Sequence, residues 1–147
     1  MFAQAIKRRL MDQNNETIDL LKKFSSLSRR YLKLIDRELK PYQLSSSTYY
    51  YIIKLFEFGD LSQDKLVQLT GLNPSNVTRA IQKLISLGHI QKKQNPKDGR
   101  SFILSLTNEG EKKYPVIQST LHQVNNSFLN KFTASEKGQF IELITRL

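Results

Sequence analysis

Apolar residues recur at helical spacing along much of this chain. From Glu16 to Lys40, Leu20, Phe24, Leu27, Tyr31 and Leu34 fall on one stripe, widened by Leu21, Leu32 and Ile35. Lys22, Arg29, Lys33, Arg37 and Lys40 line the opposite side, so the pattern predicts one long amphipathic helix. Pro41 stops it, because proline disfavours helical geometry in the residue before it. The hydroxyls of Ser45, Ser46, Ser47 and Thr48 then offer N-caps for an apolar helix with Tyr49, Ile52, Ile53, Leu55 and Phe56, ended by Gly59. Its crowd of aromatics (Tyr49, Tyr50, Tyr51 and Phe56) reads mainly as core, with a pocket for an aromatic ligand as the alternative.

The densest pattern lies between Leu61 and Thr107. Ser62 is an N-cap candidate for a short helix, Gln63 to Thr70, with Leu66, Val67 and Leu69 on its apolar face. Gly71 suits a left-handed turn, Asn73 a second N-cap and Pro74 a first helical position. Two helices joined by so short a Gly-containing turn form a helix-turn-helix. The second runs from Pro74 to about Leu87, with Val77, Ile81, Leu84 and Ile85 facing the core and Gly88 as its stop. Two strands follow, Ile90–Gln94 and Ser101–Thr107, the second with Phe102, Leu104 and Leu106 alternating toward the core. Asp98-Gly99 between them signals a hairpin turn. The ribbon is a wing whose tip carries Lys97 and Arg100, with Asp98 as an orienting partner for Arg100.

The rest of the chain is helical. Asn108 and Glu111 resemble a capping pair for a long helix to about Phe132, kinked or restarted near Tyr114 by Pro115. Thr133 to Glu136 is a capping box opening a terminal helix with Phe140, Ile141, Leu143, Ile144 and Leu147 on one side. The expected fold is mainly α with a small β-hairpin wing. One domain spans 1–147, with a winged helix-turn-helix core at 45–107 and helical dimerisation regions at 1–44 and 108–147.

Composition narrows the chemistry. The 147 residues include no cysteine, which removes disulfide scaffolds, thiol catalysis and Cys-ligated metal sites, and fits a reducing compartment. His89 and His122 are the only histidines, and His89 reads as a residue beside the helix stop. No metal, cofactor or nucleophile–base pair is expected, and the chain is not read as an enzyme. No apolar run is long enough to span a membrane, and the N-terminus has the wrong order for a secretory signal, so a cytoplasmic, nucleoid-associated protein is expected.

Lys and Arg number 23 against 13 Asp and Glu, a formal charge of +10 that suits DNA, RNA or an acidic membrane surface. Placement discriminates among them. Residues 1–44 and 61–107 each carry net +5. The first share lies along the back of a helix and reads mainly as a solvated face, with direct nucleic-acid contact or membrane-surface attachment as the alternatives. The second is gathered on the second helix of the helix-turn-helix and on the wing. That helix's outer face carries Ser75, Asn76, Arg79, Gln82, Lys83 and Ser86 and no acidic residue. Arg79 suits guanine bidentately, and Asn76 or Gln82 suits adenine. Alone, the helix reads equally well as an ordinary surface helix; the basic wing, able to place an arginine in a minor groove, favours duplex DNA.

Taken together, Leu61 through Arg79, the Asp98-Gly99-Arg100 wing leading to Leu104-Ser105-Leu106-Thr107 and Gly110, and the Thr133–Glu136 box resemble the MarR family of bacterial transcription regulators. The likeness covers roughly Leu44 to Leu147. It implies a homodimer with intertwined terminal helices, acting as a repressor on a pseudo-palindromic double-stranded DNA operator. It puts Ser75, Asn76, Thr78, Arg79, Gln82 and Lys83 in the recognition helix and Lys97, Asp98 and Arg100 in the wing. It also implies release by a small aromatic ligand, for which Tyr31 and Tyr49 are the candidate contacts. The alternative is a basic winged-helix module for RNA or a protein partner. RNA recognition usually displays stacking aromatics, and the wing's one aromatic, Phe102, is expected in the core.

Overall fold

A computed structural model describes residues 1–147, with the side chains of Phe2, Gln13, Asn14 and Glu16 outside the described set. Seven helices and one hairpin follow in the order α1 (Phe2–Leu39), α2 (Tyr49–Phe58), α3 (Gln63–Thr70), α4 (Pro74–Ser86), β1 (Ile90–Asn95), β2 (Asp98–Leu106), α5 (Asn108–Glu111), α6 (Lys113–Phe128) and α7 (Ala134–Thr145). The mainly helical fold with a hairpin wing is thus observed. The chain divides into two compact units, Met1–Leu34 and Ile35–Leu147.

The first unit is helical throughout. α1 starts at Phe2, far upstream of the expected Glu16, because Ile6, Leu10 and Met11 continue a helical apolar spacing with no glycine or proline to interrupt it. Its stripe is open: Ile6, Leu10, Leu20, Leu21 and Phe24 are each at least 50% exposed.

The second unit holds the buried core. α1 ends at Leu39, a single 3-10 turn spans Lys40–Tyr42 around Pro41, and Ile35, Leu39 and Leu44 are buried. Before α2, the Thr48 hydroxyl accepts from the Ser45 N–H at 2.9 Å, and the Asp36 carboxylate accepts from the Ser46 N–H at 2.7 Å. α2 contributes Tyr51, Ile52 and Leu55 to the core, α3 Leu66, and α6 Ile117 and Val124. From α4 come Val77, Ala80, Ile81 and Leu84. Ile85, expected inside, is 37% exposed, because it lies at the edge of the sector that Val77, Ala80, Ile81 and Leu84 define. Phe56 is exposed too, its ring stacked on Tyr114 at 3.8 Å.

The C-terminal helices start where hydroxyls cap them. Thr107, not Asn108, caps α5, its hydroxyl accepting from the Gly110 N–H at 3.0 Å. The expected restart near Tyr114 is observed, dividing the segment into α5 and α6, but α6 ends at Phe128 and not near Phe132; the start at Lys113 puts Pro115 in the first turn of α6, where no helical N–H is lost. The Thr133–Glu136 capping box is formed in both directions. α7 nevertheless buries none of its residues, and Ile141 and Leu143 are 57% and 60% exposed.

Candidate nucleic-acid interface

The helix-turn-helix follows from local capping. Ser62 caps α3 by accepting from the Lys65 N–H at 3.2 Å. Gly71 closes it at φ 63°, a left-handed backbone that costs a glycine nothing, and donates to the Val67 carbonyl at 2.9 Å. Asn73 starts α4, its side-chain oxygen accepting from the Ser75 N–H at 2.9 Å, with Pro74 at the first position. A further tie was not legible in the sequence. The Gln63 amide of α3 donates to the Thr78 hydroxyl of α4 at 2.8 Å, and that hydroxyl donates to the Pro74 carbonyl at 2.9 Å.

α4 presents Ser75, Asn76, Arg79, Gln82 and Lys83 to solvent. Thr78 is half-buried on the flank toward Gln63, with its hydroxyl engaged inside the protein. Arg79 and Asn76 are joined, the guanidinium donating to the Asn76 side-chain amide oxygen at 2.6 Å.

The wing is anchored at its base. Leu61, just before α3, exchanges two backbone hydrogen bonds with Leu104 of β2, at 3.1 and 2.8 Å. The Thr107 N–H donates to the His89 carbonyl at 3.0 Å, and the Thr107 hydroxyl to the Gly88 carbonyl at 2.5 Å. Gly110 packs on the same spot, where a Cβ would stand 2.0 Å from the His89 carbonyl oxygen. Only a glycine fits there, which accounts for the glycine that follows Leu104-Ser105-Leu106-Thr107.

At the tip the structure corrects the expected turn. Asn95 pairs with Asp98, so the turn is Pro96-Lys97 and Asp98-Gly99 already belongs to β2. Proline suits the second position of a tight turn, and the Asn95 side-chain oxygen takes the Lys97 N–H at 3.0 Å. Gly99, Arg100 and Ser101 stand between the Asn95–Asp98 and Gln94–Phe102 pairings, as an irregularity in the ladder. Asp98 does orient Arg100, but through its backbone: the carboxylate accepts from the Arg100 N–H at 3.1 Å and makes no salt bridge with the guanidinium. Lys97, Asp98 and Arg100 are all exposed.

Phe102 is also misplaced by its alternation. It is 51% exposed, because the hairpin beyond Ile103 runs past the helices, and the Lys92 ammonium lies 4.4 Å from its ring centroid. Lys92 and Lys93, exposed on β1, extend the basic surface and were legible only as strand residues.

The cations of this surface lack internal counterions among the described residues, as do others elsewhere in the chain such as Lys33 and Lys65. Among the described residues, Arg79, Lys83, Lys92, Lys93, Lys97 and Arg100 form no salt bridge, whereas Lys23, Arg37, Lys54, Lys112 and Arg146 each do. Cations without internal counterions keep their charge for an external anion. His89, at the junction of α4 and β1, is buried with both ring nitrogens unpartnered. Burial pushes its pKa below the usual imidazole value, helped by the Lys113 ammonium and opposed by the Glu109 carboxylate. Tyr31 and Tyr49, the expected effector contacts, are each half-buried, Tyr31 in the first unit and Tyr49 in the second. Among the described residues no group of acidic residues and histidines is placed to hold a metal, and no helix is long and apolar enough to cross a membrane.

A family model described as transcriptional regulator SarA/Rot matches residues 33–117. The HTH-type transcriptional regulator BilQ of Clostridioides difficile is 26% identical over 117 residues, 80% of this chain and 79% of that protein. The uncharacterized HTH-type transcriptional regulator YybA of Bacillus subtilis is 26% identical over 129 residues, 88% of this chain and 86% of that one. In fold the chain is similar to a MarR transcriptional regulator from Methanosarcina mazei, with a TM-score of 0.75, 22% identity and 86% and 91% of the two chains covered. It is similar also to an Escherichia coli MarR mutant solved with operator DNA, with a TM-score of 0.76, 20% identity and 90% and 95% covered.

Proposed function

Since the chain belongs to the SarA/Rot family of transcriptional regulators and has the winged-helix fold of MarR regulators, we propose that it binds a pseudo-palindromic duplex operator as a homodimer and represses transcription. It is a transcriptional regulator, not an enzyme. The observation that carries the proposal is the unpaired basic surface of α4 and the wing, with Arg79 and Lys83 on one and Lys97 and Arg100 on the other. In this reading Ser75, Asn76, Arg79, Gln82 and Lys83 meet the major groove, with Thr78 behind them. Lys97 and Arg100 track the backbone and minor groove, and Asp98 shapes the tip. The MarR neighbour solved with operator DNA supports duplex DNA as the partner.

Dimerisation is supported by the apolar side chains that a single chain leaves open, including Leu20, Leu21 and Phe24 on α1 and Ile141, Leu143 and Ile144 on α7. Tyr31 or Tyr49 is the proposed contact for a small aromatic acid that releases the operator, and adding such an acid to the complex tests that part.

The experiment for the whole is selection of bound fragments from the source genome, followed by footprinting and sedimentation. Expected are two protected half-sites about one helical turn (~10 bp) apart and a protein sedimenting as a dimer. No enriched duplex, or a single protected half-site under a monomer, overturns it. The exposed Phe102 favours a second reading, RNA binding by stacking on the wing, although Lys92 lies over its ring.

A further inference from the structure

Three oxygen acceptors at the N-terminal end of α4, that of its N-cap Asn73 included, are already engaged by the protein itself. The Asn73 side-chain oxygen takes the Ser75 N–H at 2.9 Å, the Thr78 hydroxyl takes the Gln63 amide at 2.8 Å, and the Asn76 oxygen takes Arg79 at 2.6 Å. The orientation of the Asn76 amide follows from chemistry. A guanidinium has no acceptor and bonds only an oxygen, so the Asn76 NH2 group is the end left over. Asn76 and Arg79 are both exposed, and neither makes a salt bridge.

Bidentate recognition of adenine by an asparagine needs the oxygen to accept from N6 while the NH2 donates to N7. With the Asn76 oxygen already accepting from Arg79, one lone pair is left for adenine N6, and a guanidinium stands beside that donor and repels it. Guanine instead shows two neighbouring acceptors, O6 and N7, in the major groove. We infer, resting on the duplex-DNA reading above, that Asn76 and Arg79 act as one donor-rich unit that selects guanine. Adenine recognition is left to Gln82, one helical turn on, whose amide keeps both its donor and its acceptor. Asn76 is then a positioning residue for Arg79 as well as a donor, and its base preference depends on Arg79.

The test reselects duplexes from a random pool with wild type, Asn76→Ala and Arg79→Ala, after thermal melts confirm that the variants fold. The guanines of the wild-type site are then replaced one at a time by 7-deazaguanine, which lacks the N7 acceptor. Expected is one guanine per half-site whose replacement weakens wild-type binding about tenfold, the loss of the N7 half of a charged bidentate contact, and has no effect on Arg79→Ala. Arg79→Ala frees the Asn76 oxygen, and its reselected sites gain adenine beside that position. Asn76→Ala keeps the guanine with reduced discrimination. Wild-type sites carrying adenine at the position that Asn76→Ala relaxes, unchanged by Arg79→Ala, overturn the inference alone. Enrichment of no duplex by the wild type overturns the DNA reading and the inference with it.

Discussion

Gly110→Ala isolates the contact that seats the wing against the C-terminal helices. The added methyl would stand 2.0 Å from the His89 carbonyl oxygen and 3.2 Å from Leu106 Cδ2. Backbone must therefore retreat by about 1 Å merely to reach the shortest separation that real Cβ atoms show. The atoms that would have to move are already bonded: His89 O holds the Thr107 N–H at 3.0 Å, and Thr107 in turn caps Gly110 at 3.0 Å. Overpacking costs about 1–3 kcal/mol, a lost backbone hydrogen bond about 1 kcal/mol and a lost cap about 1 kcal/mol. Together they come to roughly 3–5 kcal/mol, which for a chain of this size lowers Tm by about 8–15 °C. Gly138→Ala is the matched control, because its Cβ meets nothing within 4 Å inside α7. There alanine is expected to stabilise the helix by about 0.5–1 kcal/mol. Thermal unfolding followed by circular dichroism reads both. A Gly110→Ala protein that melts with the wild type would refute the close packing of α5 on His89.

Four other substitutions separate charge, titration and capping. Arg100→Ala should weaken binding to every duplex and reduce the slope of log affinity against log salt by about 0.9 per subunit, one phosphate contact each; Asp98→Ala, which loosens the tip without removing a cation, should weaken binding with the slope unchanged, and a salt titration by fluorescence anisotropy distinguishes them. His89 is held neutral in the fold, so its contribution to stability is complete above the unfolded imidazole pKa of about 6.5 and is lost as pH falls below that value toward the depressed folded one. His89→Leu should flatten that fall in urea melts between pH 7.5 and 5, and an unchanged profile would remove His89 as its source. Thr133→Ala removes the hydroxyl half of the capping box and leaves the backbone half, Thr133 N–H to the Glu136 carboxylate; it should cost about 1 kcal/mol, read as faster amide exchange across α7 with α4 unaffected.

The parts of the fold written in local chemistry were legible in the sequence. α3 has its expected bounds because Ser62 and Gly71 are capping residues whatever surrounds them, and Asn73-Pro74 likewise fixes the start of α4. Alternation marked Leu104 as core. It failed at Phe102, because alternation records which face a side chain takes and not whether any element covers that face. The turn at Pro96-Lys97 was hidden behind Asp98-Gly99, a stronger hairpin signal that here sits in the irregular start of β2. The N-terminal half of α1 was not legible because Ile6, Leu10 and Met11 make a sparser apolar stripe than the one that follows Glu16.

The candidate site divides in the same way. Residue type and helical period place Ser75, Asn76, Arg79, Gln82 and Lys83 on one open face of α4. The pairing of Asn76 with Arg79, and of Thr78 with Gln63 across 15 residues, depends on rotamers and on the packing of α3 against α4. No spacing rule carries that information, and it changes what the face can read.

Competition between duplex and structured RNA tests the central claim most directly. Labelled operator duplex is titrated with protein by fluorescence anisotropy at a series of salt concentrations, then challenged with a structured RNA of equal length. If each subunit neutralises about 3–5 phosphates, log affinity should fall linearly with log salt with a slope of about −5 to −9 for the dimer, and the RNA should fail to displace the duplex at equal concentration. RNA that competes equally, or affinity for the duplex that does not change with salt, would contradict recognition of duplex DNA by α4 and the wing.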